Sequence, residues 1–210
     1  MTSPRPPKVL RREAIVAGWT DDESRARTLF TSEEPKVRAS AFGALVRMGA
    51  VTLTDFTVAA QDPDWRVRSR LLSSLPMFWS EDVAAAVDLL ALLHDPDPVV
   101  LELACFVAGE CEPSPDGVLE RLCAIAEHDD EALCRESAVA ALGSLGDQRA
   151  KDTILIACTD RATVRRRAVL ALAAFEGDDV DEMLVTMSGD VDWQVRQAAE
   201  ELLAIDGVEF

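Results

Sequence analysis

Two histidines and five cysteines are the side chains in this 210-residue sequence best suited to metal ligation, nucleophilic attack or proton transfer. Cys105, Cys111, Cys123, Cys134 and Cys158 include no C-x-x-C pair, and only His94 and His128 could join them. Zinc requires ligands paired at short spacings, so no metal site is expected. The cysteines sit in or beside apolar stretches, which predicts small buried hydrophobes rather than reactive thiols. Each histidine ends an apolar stretch and precedes an aspartate (Asp95, Asp129), a place where it favours the negative end of a helix. No Gly-rich phosphate loop, G-x-S-x-G or H-E-x-x-H occurs, and tyrosine is absent. No catalytic residue and no cofactor are expected, and function is expected to be binding.

Charge narrows the partner. With 38 acidic and 21 basic side chains the formal net charge is −17. That excludes a generic charge-driven nucleic-acid binder, which needs a net positive surface to release counterions. The imbalance is uneven: residues 1–50 hold nine basic and six acidic side chains, whereas residues 71–134 hold 14 acids and one basic residue, Arg121. Acids at helix starts explain part of this. The rest suits steering of a partner protein with a basic surface. Arg165-Arg166-Arg167 is the one basic run of the C-terminal half. The best apolar run, Val83–Leu93, is broken by Asp88, and the N-terminal apolar stretch before Trp19 is too short for a signal peptide. A cytoplasmic protein without membrane or nucleic-acid partners is expected.

The elements that must position these residues repeat. Val37, Val67, Val100, Cys134, Val164 and Val195 recur at intervals of 30, 33, 34, 30 and 31 residues. Four residues on stand Ala41, Leu71, Ala104, Ala138, Ala168 and Ala199, and eight on stand Leu45, Leu75, Ala108, Leu142, Leu172 and Leu203. Offsets 0, 4 and 8 form one stripe on a helix of period 3.6. Second amphipathic segments lie between, clearest at Val83–Leu93, Val118–Ala126, Ala150–Ala157 and Val180–Met187. The unit is a helical hairpin of roughly 30 residues that buries its stripe only against neighbours. Residues 1–31 are expected to form a helical cap, and residues 32–210 about six repeats in one continuous array. Its terminal hairpins leave open edges through which copies could meet.

The pattern D-x-D-x-x-V-R-x-x-A-x-x-A-L resembles HEAT repeats of the short bacterial type found in phycobilin-lyase-like proteins. The resemblance implies an all-α fold, an α-solenoid in which antiparallel hairpins stack into a right-handed superhelix. It also implies an Arg–Asp ladder between repeats. Arg38, Arg68, Arg135, Arg165 and Arg196 follow their anchors, and Glu34, Asp64, Asp97, Glu131 and Asp192 stand three before theirs. Repeat three has Leu101 in the Arg position and repeat five has Arg161 in the acid position, so weaker pairing is expected at both. Trp65 and Trp193, two before their anchors, are expected to pack between repeats. Trp79 at a hairpin turn is the better candidate for exposure, although packing between helices is its expected use.

Offsets −1, +2 and +6 point away from the stripe, and in proteins of this resemblance that side lines the concave surface. The first two repeats read Lys36, Ala39, Gly43 and Arg66, Ser69, Ser73, and the last reads Gln194, Gln197, Glu201: polar or small. The middle collects Val99, Phe106, Leu133 and Leu170 beside Glu102, Glu136 and Arg166. An apolar centre with a charged rim is how binding patches are built. The partner-binding residues are therefore expected to be Val99, Glu102, Phe106, Leu133, Glu136, Arg166, Arg167 and Leu170. The competing expectation is that a shifted register buries these columns. The leading role is a non-enzymatic scaffold that seats another protein. The alternatives are an acidic immunity-type inhibitor of a basic toxin, or a lyase-like subunit with a bilin propionate on Arg166 or Arg167. Di-iron hydroxylases and DNA glycosylases of similar repeat type are disfavoured, because no His-Glu pair stands at the matching positions and no broad basic groove is evident.

Overall fold

The computed structural model describes residues 5–112 and 114–205; the last five residues of the expected array lie outside them. Among the described residues there are helices and no strands, and the fold is an α-solenoid. The chain divides into two compact units, residues 1–92 and 93–210.

The first unit contains α1 (Pro7–Ala17), α2 (Glu23–Phe30), α3 (Pro35–Met48), α4 (Leu53–Ala60), α5 (Trp65–Leu72), α6 (Glu81–Ala86) and the single turn α7 (Leu89–Leu92). Here α1, α3 and α5 pack in one row, while α2 packs on α3 and α4 on α5 and α6. Phe30, Phe42 and Phe56 lie in its core and half-buried Phe78 continues the series, with ring centroids 5.6, 6.1 and 5.7 Å apart. The second unit contains α8 (Pro98–Glu110), α9 (Val118–His128), α10 (Ala132–Leu145), α11 (Lys151–Ala157), α12 (Ala162–Leu172), α13 (Asp178–Met187) and α14 (Trp193–Ile205). Here α8, α10, α12 and α14 pack in one row, while α9 packs on α10 and α11, and α13 on α14.

The stripe at offsets 0, 4 and 8 is the core of both units: none of its eighteen residues is more than 1% exposed. Two elements differ from the periodicity. The segment Val83–Leu93 is not one helix, because Val87 is extended and Asp88 accepts a hydrogen bond from the Ala91 N–H (2.9 Å), opening α7 afresh. Likewise α5 stops at Leu72, and Leu75 reaches the core from a 3₁₀ turn over Leu75–Met77. Pro76 disfavours helical backbone at the residue before it, which ends the regular spiral there.

The ladder exists, with a different set of acids. Arg38 grips Asp62 through Nε and Nη2, both at 2.7 Å; Arg135 grips Asp160 at 2.6 and 2.8 Å, and Arg165 grips Asp190 at 2.8 and 2.7 Å. Each of these arginines also donates through Nη1 to a carbonyl in the loop before its own helix: Ser32, Asp129 and Asp160 respectively. One planar fork thus ties its own loop to the start of the next repeat. Of the acids three before the anchor, the three aspartates serve their own helices instead, while Glu34 and Glu131 make no side-chain cap. Asp64, Asp97 and Asp192 accept from the N–H groups of Arg66, Val99 and Gln194, each at 2.9 to 3.0 Å. The expected weakness at repeat five is therefore corrected. Arg161 replaces a capping acid, while the ladder acid Asp160 stands one residue earlier and is fully engaged. In repeat three Leu101 is buried, and Arg121 donates to the Leu93 carbonyl at 2.9 Å.

Candidate protein-binding face

The face in question belongs to α8, α10 and α12 in the second unit. Close approach of these helices depends on two glycines. A Cβ on Gly109 would stand 2.7 Å from the Ala141 Cα, and one on Gly143 would stand 2.7 Å from the Ala171 Cβ. With the helices so near, side chains at offsets −1, +2 and +6 emerge as neighbouring columns.

Val99, Phe106, Leu133 and Leu170 are 42%, 51%, 55% and 41% exposed, so these columns face solvent and the buried-register expectation does not hold. Glu102, Phe106, Glu136 and Arg167 line one groove of about 520 Å³ along α8 and α10, floored by Gly109 and Ala140. Glu136, Arg166, Arg167 and Leu170 meet again in a smaller groove of about 130 Å³ with Asp192 and Gln194. Arg167 joins the two: its Nη2 stands 3.4 Å from Glu136 Oε1. Val99 and Leu133, nearer the N-termini of α8 and α10, line neither groove. Six of the eight expected residues are thus brought together, and two stand exposed beyond them.

None of the cysteines lines these grooves. Cys105, Cys111, Cys134 and Cys158 are buried and Cys123 is half-buried. Burial pushes the Cys111 and Cys134 thiols up to about 11 and Cys158 up to about 12, and it raises Cys105 and Cys123 as well. A protonated thiol is a poor nucleophile and a poor ligand. His128 Nε2 stands 3.6 Å from Glu127 Oε2. Among the described residues no group of three His, Cys, Asp or Glu side chains is arranged to hold a metal ion. No described helix is long and apolar enough to cross a membrane.

One reading of tryptophan needs correction, that of Trp193, while Trp79 is packed as expected. Trp193 is 61% exposed rather than packed between repeats, because α14 begins at this residue and its ring projects from the helix start. Trp79 is half-buried, with its indole N–H covered. A further group was missed. The polar and small columns of the first two repeats line a large cleft in the first unit with Trp19 and Arg47. The signal was present in Arg47 and Arg70, which lie at offsets other than those chosen.

The sequence profile described as HEAT repeats matches residues 86–162 and 119–204, together more than half of the chain. The chain belongs to the HEAT-repeat family. No curated protein matches this HEAT-repeat chain. Solved structures share its fold at low identity. One is an engineered protein (20% identical, TM-score 0.65, covering 87% of this chain and 97% of that one). Another is YibA of Escherichia coli (14%, TM-score 0.62, 86% and 67%). A third is a designed armadillo repeat protein in complex with the peptide (KR)4 (14%, TM-score 0.56, 93% and 97%). Stacked helical repeats of this kind commonly present extended surfaces for protein binding.

Proposed function

We propose that this chain is a non-enzymatic scaffold that seats a partner protein on the α8–α10–α12 face. The observation that carries the reading is the exposure of Phe106, Leu133, Leu170 and Val99 on helices whose core stripe is already complete. Their apolar area serves no packing need of the monomer. Exposed apolar residues beside charged ones mark interaction sites. Phe106, Leu133, Leu170 and Val99 are the anchors, and Glu102, Glu136, Arg166 and Arg167 select among partners.

The partner is a protein with a basic surface. Residues 93–210 hold 26 acidic against nine basic side chains, a field that attracts cations and repels nucleic acid. The designed armadillo protein in complex with the peptide (KR)4 illustrates a repeat protein that accepts an alternating Lys-Arg chain. An immunity-type inhibitor is the special case in which the basic partner is a toxin.

The test is affinity capture from the source cells at low and high salt. It compares wild type with a variant carrying Phe106→Ser, Leu133→Ser and Leu170→Ser, and reads the captured proteins by quantitative mass spectrometry. The expected result is a basic partner held by wild type at low salt, released at high salt and absent from the variant, whose melting temperature is unchanged. Equal capture by both proteins would overturn the proposal, as would melting of the variant at room temperature, which would make these residues core.

A further inference from the structure

The first unit carries a cleft of about 460 Å³ along α1, α3 and α5. Five cationic side chains line it: Arg11 from α1, Lys36 and Arg47 from α3, and Arg66 and Arg70 from α5. Among the described residues no carboxylate does. Composition does not force this segregation, since residues 1–92 hold 12 acidic and 12 basic side chains. Four of the unit's other cations are engaged by acids: Arg5 and Arg25 by Glu13, Arg27 by Asp55, and Arg38 by Asp62. Of the cleft cations, Arg66 pairs with Asp64 at 3.2 Å; Arg11, Lys36, Arg47 and Arg70 make no ion pair among the described residues.

The cleft is also shaped. The Arg47 guanidinium lies 4.0 Å from the centroid of the Trp19 ring, and that of Arg66 lies 4.6 Å from the Trp65 ring. A guanidinium stacked on an aromatic face is held in plane with its N–H edge free for a bidentate oxyanion. Arg70 lies against Gly43, where a Cβ would come within 2.5 Å of its Nε. Neighbouring helix axes stand about 8–10 Å apart, so three helices spread these charges over roughly 16–20 Å. That is too wide for one small anion and suits a chain carrying several.

We propose that this cleft binds an acidic peptide segment of a partner protein, a short extended stretch whose carboxylates meet Arg11, Lys36, Arg47 and Arg70 in turn. A peptide is favoured over single-stranded nucleic acid for two reasons. Arg47 and Arg66 already occupy the stacking positions on the tryptophans that bases would use. A nucleic acid would also extend its phosphates past the cleft over a unit whose 12 acidic and 12 basic side chains leave it no net positive field. The site is separate from the α8–α10–α12 face and stands whether or not that face is a docking surface.

Fluorescence anisotropy on the full chain tests this with labelled (Glu-Gly)4, (Gln-Gly)4 and an oligothymidylate of matching length. The Glu peptide should bind at least about ten-fold tighter than the Gln peptide at low salt. Arg47→Gln with Arg70→Gln should weaken it about ten-fold or more. Arg12→Glu, the same change in net charge at an exposed residue outside the cleft, should cost less than about two-fold. Gly43→Ala leaves every charge in place but displaces the Arg70 guanidinium. It should weaken binding about three-fold and gives the test a second route if the double variant unfolds. Equal binding of the Glu and Gln peptides, an equal loss on Arg12→Glu, or tighter binding of the oligonucleotide would each overturn the proposal.

Discussion

Arg165 shows how much one side chain does in this fold. It closes its own loop at the Asp160 carbonyl and grips both oxygens of Asp190, itself the first acid of the following repeat. Arg165→Met should cost about 2–3 kcal/mol, because it leaves a largely buried carboxylate without its charged donor; urea unfolding measures this. The pair also sets a pH dependence. Hydrogen bonds from Arg165 hold the Asp190 carboxyl below the ordinary range, and those from Arg135 do the same for Asp160. A depressed carboxyl takes up its proton more readily in the unfolded chain. Its contribution is therefore complete at neutral pH and is lost as pH falls below about 4 toward the folded value. The stability gap between wild type and Arg165→Met should accordingly be constant above about pH 5 and narrow below it. The cysteines give a second prediction at this scale. A thiol near 11 is ionised in only about one molecule in several thousand at pH 7.5. Only half-buried Cys123 should react with a disulfide reagent in the native protein, and the four buried thiols should wait for unfolding. The arginine column was legible in the sequence because it follows the anchor in five of six repeats. The ladder acids were not, since D-x-D offers two carboxylates and only the fold decides which one crosses to a neighbour.

Helices and their buried faces were legible because the stripe is regular: eighteen positions sharing one offset rule all fall in the core. Their interruptions depended on single residues, Pro76 and Asp88, that periodicity does not weigh. Helix spacing in the second unit rests on glycine, and this yields a paired prediction. Gly143→Ala places a methyl group against Ala171. Overpacking costs about 1–3 kcal/mol and outweighs the gain of about 1 kcal/mol in helix propensity. Gly43→Ala meets only the movable end of Arg70 and should keep most of that gain. Denaturant midpoints should move in opposite directions. If Gly143→Ala is stabilising, α10 and α12 are not held together at that point. The apolar face on α8, α10 and α12 was legible as columns, because outward offsets follow from the same period. The convergence of six of its residues into grooves was not, because that depends on how closely adjacent helices approach.

At the scale of the whole molecule, charge separates along the chain: balance over residues 1–92 and a large acidic excess over residues 93–210. The excess could be counted in advance. The gathering of cations between residues 11 and 70 into one cleft could not, because it requires three helices distant in sequence to lie side by side. If the second unit steers a basic partner onto its apolar face, charge and apolar area should act on different rates. Long-range attraction speeds encounter and is screened within about 8–10 Å at physiological salt, whereas short-range apolar contacts govern how long a complex lasts. A labelled peptide alternating Lys and Leu is the probe. In stopped-flow mixing, raising salt from about 50 to about 300 mM should lower the association rate about ten-fold and change dissociation less than about three-fold. Phe106→Ser with Leu133→Ser should do the reverse, speeding dissociation about ten-fold with association nearly unchanged. If both perturbations act on association alone, the apolar columns contribute nothing to holding the partner. The acidic surface by itself would then account for binding.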